Sequence, residues 1–81
     1  MFYTYVLESS VDRRLYIGSV QDVERRLARH NAGTVPATRF RRPLTLVGFE
    51  SFITRSEAFR RERQLKSWKN PTVVRALFVG P

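Results

Sequence analysis

Eighty-one residues are expected to form one small domain, and it is strongly basic: 15 Lys+Arg against 7 Asp+Glu give a formal charge of +8. The absence of cysteine and the single histidine exclude a disulfide framework, a thiol nucleophile, and zinc sites built from thiolates or several imidazoles. No apolar run approaches the roughly 20 residues that cross a bilayer and no charged-then-apolar leader opens the chain, so a cytoplasmic setting is the default expectation.

Ten aromatics (Phe 6, Tyr 3, Trp 1) and 42% hydrophobic residues suffice for a modest core. The charge points to a polyanionic partner, with nucleic acid ahead of an anionic membrane surface or an acidic protein. Apart from Lys66 and Lys69 the cations are arginines, whose planar fork suits phosphate oxygens.

In chain order, residues 2–7 are dense in β-branched and aromatic side chains and predict a strand with Tyr3, Tyr5 and Leu7 on one face. A polar turn at 9–13 leads to a second strand at 14–18, which makes an antiparallel hairpin on which Tyr5 and Tyr16 can share a face. Ser19 is the expected N-cap of the next helix, with Asp22 at its third position, Val20, Val23 and Leu27 inward, and Gly33 ending it. Arg26 and His30, spaced i,i+4, run along one edge of that apolar stripe, while Arg25 and Arg29 take a more exposed face. Two prolines predict an irregular basic stretch over 33–43, and residues 44–52 a third strand, covered in part on both sides. Thr54 to Glu57 matches a capping box and opens a helix over 55–69; Pro71 interrupts that helix or begins another, and residues 72–79 read as a short helix or a strand, with helix favoured. The expected fold is α+β: a three-stranded, mainly antiparallel sheet flanked by helices in the order β-β-α-β-α, with a short C-terminal helix.

Glu62 is the anomalous residue. Ala58, Phe59 and Leu65 share its helical face, whereas Arg60, Arg63, Gln64 and Ser67 point away, so a carboxylate interrupts an inward apolar stripe. Burying that charge costs several kcal/mol unless something answers it. An arginine salt bridge and a cation site are both open readings. Trp68 reads as core.

The succession of Tyr5, Tyr16-Ile17-Gly18, Asp22–Asn31 with Arg26 and His30, and Glu57–Glu62 followed by Leu65, Lys66 and Trp68 resembles the GIY-YIG nuclease superfamily, and more closely its small single-domain bacterial branch. The likeness covers essentially the whole chain. Tyr3-Thr4-Tyr5 stands where the family name has Gly-Ile-Tyr, so only the tyrosine is kept; Ser19 stands where some members carry lysine, and Val20 where a small polar residue is common.

The resemblance implies a divalent-metal-dependent endonuclease acting on DNA, including branched or damaged DNA. One Mg²⁺ or Mn²⁺ would sit on Glu62. Arg26 would contact the scissile phosphate, Tyr16 would draw a proton from water, Tyr5 would orient that water or Tyr16, and His30 would relay a proton or touch phosphate. Lys66 and Lys69 would hold backbone phosphates, and Arg39, Arg41 and Arg42 would form a gripping edge with Phe40 stacking on a base. A module that binds nucleic acid on the same scaffold without turnover would explain the charge equally well. Targeting would fall to the basic loop, a homodimer or a protein partner.

Overall fold

The computed structural model describes residues 1–78; the last residue of the helix expected over 72–79, Val79, lies outside them. The elements run β1 (Phe2–Ser9), β2 (Leu15–Val20), α1 (Val23–Asn31), a 3₁₀ turn (Arg39–Arg41), β3 (Leu44–Phe52), α2 (Arg55–Trp68) and α3 (Pro71–Ala76). The three strands form one antiparallel sheet in the order β2-β1-β3. The fold is therefore the α+β arrangement expected, with the short C-terminal helix present.

β1 is central because its residues are apolar on both faces. Tyr5, Leu7 and Leu44 form one cluster with Val23 and Leu27 of α1; Val6, Leu65 and Val74 form the other with Ile17 and Trp68. Helix α1 thus covers one face of the sheet and α2 with α3 the opposite one. Thr4, fully buried, donates its hydroxyl to the Ala58 carbonyl at 2.6 Å and pins α2 to the central strand.

Several boundaries shift by a few residues from expectation, and the junction of β2 with α1 differs most. β2 continues through Ser19 and Val20, which pair with Thr4 and Tyr3, so Ser19 belongs to the ladder. The N-cap of α1 is Asp22, whose Oδ1 accepts from the Arg25 amide at 3.0 Å. The ladder satisfies the backbone of Ser19 and Val20 more completely than an extra helical turn could. Gly33, with φ of +81°, follows the end of α1 as expected. Within the stretch expected to be irregular, Arg39–Arg41 closes one 3₁₀ turn. β3 is an edge strand covered in part on both sides, as expected: Leu44 is buried in one cluster and Val47 packs against the other, while Leu46 and Phe49 are exposed. Tyr3 adds an edge-on aromatic contact with Phe49 at 5.5 Å between ring centroids.

Candidate active site

A cleft of about 1260 Å³ takes in Leu15, Ile17 and Ser19 as well as Tyr16 and Gly18. Alternate residues of a strand face opposite ways, so this cleft bends around the open edge of β2. From the α1 side it receives Tyr5, Arg26 and His30; from the α2 side, Glu62, Lys66 and Lys69.

On the α1 side, four groups are joined in a row. The Arg26 Nε donates to the Tyr5 hydroxyl at 3.3 Å, that hydroxyl lies 3.3 Å from His30 Nε2, and His30 Nδ1 lies 2.7 Å from the Thr38 hydroxyl. Arginine can only donate, so every group is satisfied when the Tyr5 hydroxyl donates to Nε2 and Nδ1–H donates to Thr38. That pattern requires a neutral imidazole. His30 is 4% exposed, and burial first, then the charges of Arg26 and Arg29, push its pKa below the usual imidazole value. Tyr5 is equally buried, and Gly18 lies directly over its ring: a Cβ on Gly18 would collide with the phenol. The glycine of Tyr16-Ile17-Gly18 is thus required by close approach. Tyr16 stands diagonal to Tyr5 across the ladder, half-buried on the same face, and its hydroxyl makes no hydrogen bond among the described residues.

On the α2 side, the Glu62 side chain is 13% exposed. Ser19 donates its hydroxyl to Oε1 at 2.8 Å, and the Lys66 ammonium lies 2.6 Å from Oε2. Of the stripe expected around Glu62, Ala58 and Leu65 are buried, but Phe59 is 51% exposed and lines a second, smaller cleft. The charge of Glu62 is answered by a lysine one helical turn on, where an arginine was one expectation. Trp68 is half-buried against the Val6 cluster, with Arg61 over its ring at 5.4 Å.

Arg39, Arg41 and Arg42 do not line the large cleft. Arg41 pairs with Asp12 at 2.8 Å, Arg42 donates to the Arg39 carbonyl at 2.8 Å, and Arg39 stacks over the exposed ring of Phe40. Sequence reasoning missed two polar supports, Ser19 and Thr38, and the cationic rim of Arg13 and Arg14. Arg14 carried a signal, since it alternates in step with Tyr16; Thr38, in an irregular loop, carried none.

Among the described residues no group of three or more His, Cys, Asp or Glu is placed to hold a metal. The donor set that exists is one carboxylate steadied by a hydroxyl. It fits a hard, largely hydrated dication, which accepts a single protein carboxylate and completes its shell with water and phosphate oxygens. The nearby ammonium marks the same position as one that favours positive charge. No helix among the described residues is long and apolar enough to cross a membrane.

Several known proteins resemble this chain over most of its length. The model of the GIY-YIG catalytic domain matches residues 1–75. A UPF0213 protein of Haloquadratum walsbyi is 51% identical over 67 residues, covering 82% of this chain and 74% of the relative. One from Staphylococcus saprophyticus is 35% identical over 79 residues, covering 96% of this chain and 95% of the relative. The solution NMR structure of a UPF0213 protein from Bacillus halodurans superposes with a TM-score of 0.58 at 33% identity, covering 95% of this chain and 83% of that one. With the family's domain model spanning all but the last few residues, the chain belongs to the GIY-YIG family.

Proposed function

We propose that the protein is an endonuclease that hydrolyses DNA phosphodiester bonds with the help of one divalent cation, Mg²⁺ or Mn²⁺. The observation that supports this reading above any other is that one cleft, bent around the β2 edge, holds a phenol (Tyr16), a guanidinium (Arg26) and a carboxylate (Glu62). Phosphate binding alone needs neither the phenol nor the carboxylate.

In this reading the terminal nitrogens of Arg26, which have no partner among the described residues while Nε donates to Tyr5, bind the non-bridging oxygens of the scissile phosphate. Tyr5, His30 and Thr38 are buried behind that guanidinium and hold its direction, so Tyr5 and His30 act as positioning residues. Tyr16, acting in its phenolate form, takes the proton as water attacks; the P–O bond to water forms while the P–O3′ bond breaks, and the departing O3′ takes a proton from solvent. Glu62, oriented by Ser19, would carry the cation, with Lys66 releasing Oε2 and turning, with Lys69, to the DNA backbone. When bound there the dication would neutralise charge on the phosphoryl and leaving oxygens.

Nicking of supercoiled plasmid tests this. Wild-type protein should nick with Mg²⁺ or Mn²⁺ and stop with chelator, and Tyr16→Phe and Arg26→Ala should each lose about a hundredfold or more in rate. Wild-type rates in both variants would refute the assignment. A second reading, DNA binding without turnover, is favoured by one observation: Lys66 already answers the Glu62 charge. Binding with no cleavage in either metal would select it.

A further inference from the structure

Beside the main cleft lies a second one of about 470 Å³, at the end of β2 between one side of α1 and the start of α2. The two clefts share Ser19 and Arg26, so their polar walls are continuous. Its cationic wall is Arg25 and Arg29, one helical turn apart on α1, facing Arg55 at the start of α2. None of these three forms a salt bridge among the described residues, whereas Arg13, Arg41, Arg61 and Arg75 all do. Its apolar wall is Phe2 and Phe59, with Arg55 over the Phe2 ring at 5.4 Å.

Phe59 is hard to explain by folding. It sits one position from Ala58, which is fully buried, yet it is 51% exposed beside three uncommitted arginines. Unpaired cations flanking an accessible aromatic face make up the surface that binds single-stranded nucleic acid: guanidinium groups follow the phosphates and the ring stacks on a base. Inside a duplex both faces of a base are already covered by its neighbours, so the ring selects a base that has left the stack. The volume falls within the range of about 300–1,000 Å³ of clefts that enclose small molecules, which leaves room for one nucleotide.

Resting on the nuclease reading, we infer that this second cleft is a subsite for an unpaired nucleotide adjoining the scissile phosphate. Arg25, Arg29 and Arg55 bind its phosphates and Phe59 stacks on its base. The substrate class is therefore DNA with a single-stranded segment next to a duplex, such as a tail or flap. Phe59 has no hydrogen-bonding group, so the subsite reads strandedness and leaves base identity unread.

The test is fluorescence anisotropy in chelator, with a labelled blunt duplex and the same duplex carrying a short single-stranded tail, alongside plasmid nicking in Mg²⁺. Wild-type protein should bind the tailed DNA about tenfold more tightly, the scale of one base–aromatic stack. Phe59→Ala and Phe59→Leu, the second keeping apolar bulk in case truncation disturbs the fold, should both erase that preference while blunt-duplex affinity and plasmid nicking stay unchanged. Arg25→Gln with Arg29→Gln should weaken both DNAs and the tailed one more. Equal wild-type affinity for the two DNAs, or a preference that survives Phe59→Leu, overturns the subsite even if nicking is intact. A tail preference removed by Phe59→Leu, with no nicking in any metal, upholds the subsite and overturns the nuclease reading alone.

Discussion

Both oxygens of Glu62 are engaged, one by the Ser19 hydroxyl and the other by the Lys66 ammonium, so a metal must compete with a lysine that is half in solvent. Exposed i,i+4 pairs contribute only about 0.3–0.5 kcal/mol, which makes that competition mild. Lys66→Ala should therefore lower the metal concentration for half-maximal cleavage about twofold, while weakening DNA binding in chelator. An unmoved metal midpoint would show that the ammonium does not compete. Gly18→Ala should be far more damaging, because the added methyl displaces the Tyr5 phenol, and Arg26 moves with it. A displacement near 1 Å of a phosphate-binding group costs about a hundredfold in rate, which single-turnover cleavage would detect. His30 supplies a pH signature. Its folded pKa lies below the unfolded value of about 6.5, so its contribution to stability is complete above that pH and is lost as pH falls through the folded value. Melting temperature should fall between pH 7.5 and 5.5 in the wild type and flatten in His30→Gln; parallel curves would refute the buried neutral imidazole. Glu8 and Asp12, both held below the usual carboxylate range by arginine and backbone hydrogen bonds, lose their contribution only at lower pH.

Among elements, the attachment of α2 to β1 decides whether the acidic and cationic halves of the cleft meet. Among the described residues, its one buried polar tie is Thr4 to the Ala58 carbonyl. Thr4→Val keeps the shape and removes this second bond to a carbonyl that the Glu62 amide still engages within the helix, a cost of about 0.5–1.5 kcal/mol. In a domain of this size each kcal/mol lowers the melting point by about 4–8 °C, so calorimetry should record a drop of at least a few degrees. No change would mean the tie is dispensable. Helix α3 is fastened differently, through Arg75 to Glu8 at 3.2 Å and to the Arg13 carbonyl at 2.5 Å. Strand and helix types were legible because periodicity and capping are local: Thr54 accepts from the Glu57 amide as its motif predicts, and Asn70 and Pro71 start α3. What failed was set at a distance. Ser19 has good capping chemistry, but Thr4, far away in sequence, recruits it into the sheet. Phe59 fits a 3.6-residue stripe, but where it lies the stripe borders the second cleft, which helical periodicity alone does not encode. For the candidate site, Glu62 stood out because a carboxylate on a greasy stripe is costly wherever it packs. Ser19 and Thr38 did not, since a small hydroxyl is unremarkable in any segment.

For the whole molecule, a charge of +8 spread over one small domain would, on the proposed reading, set the first encounter with DNA. Phosphate contacts release counterions, so the logarithm of affinity should fall linearly with that of salt, by about 0.9 per phosphate neutralised on duplex DNA. Lys66, Lys69, Arg26 and the arginines of the second cleft would supply those contacts, whereas Arg41 and Arg61 are tied to Asp12 and Glu50. Removing Arg25 and Arg29 should reduce the slope by about 1–2 units, as measured by anisotropy over a salt series. A slope unchanged in that variant would place the DNA elsewhere on the surface. The cleft itself joins chemistry from both faces of a sheet, because it bends around the open edge of β2. On the proposed reading, Glu62 is the residue on which turnover, but not attachment, depends. Comparing Glu62→Gln with wild type in one preparation, for plasmid nicking in Mg²⁺ and Mn²⁺ and for DNA affinity in chelator, is the most direct check. Loss of nicking with affinity retained is the predicted result, and nicking at the wild-type rate by Glu62→Gln would contradict the account.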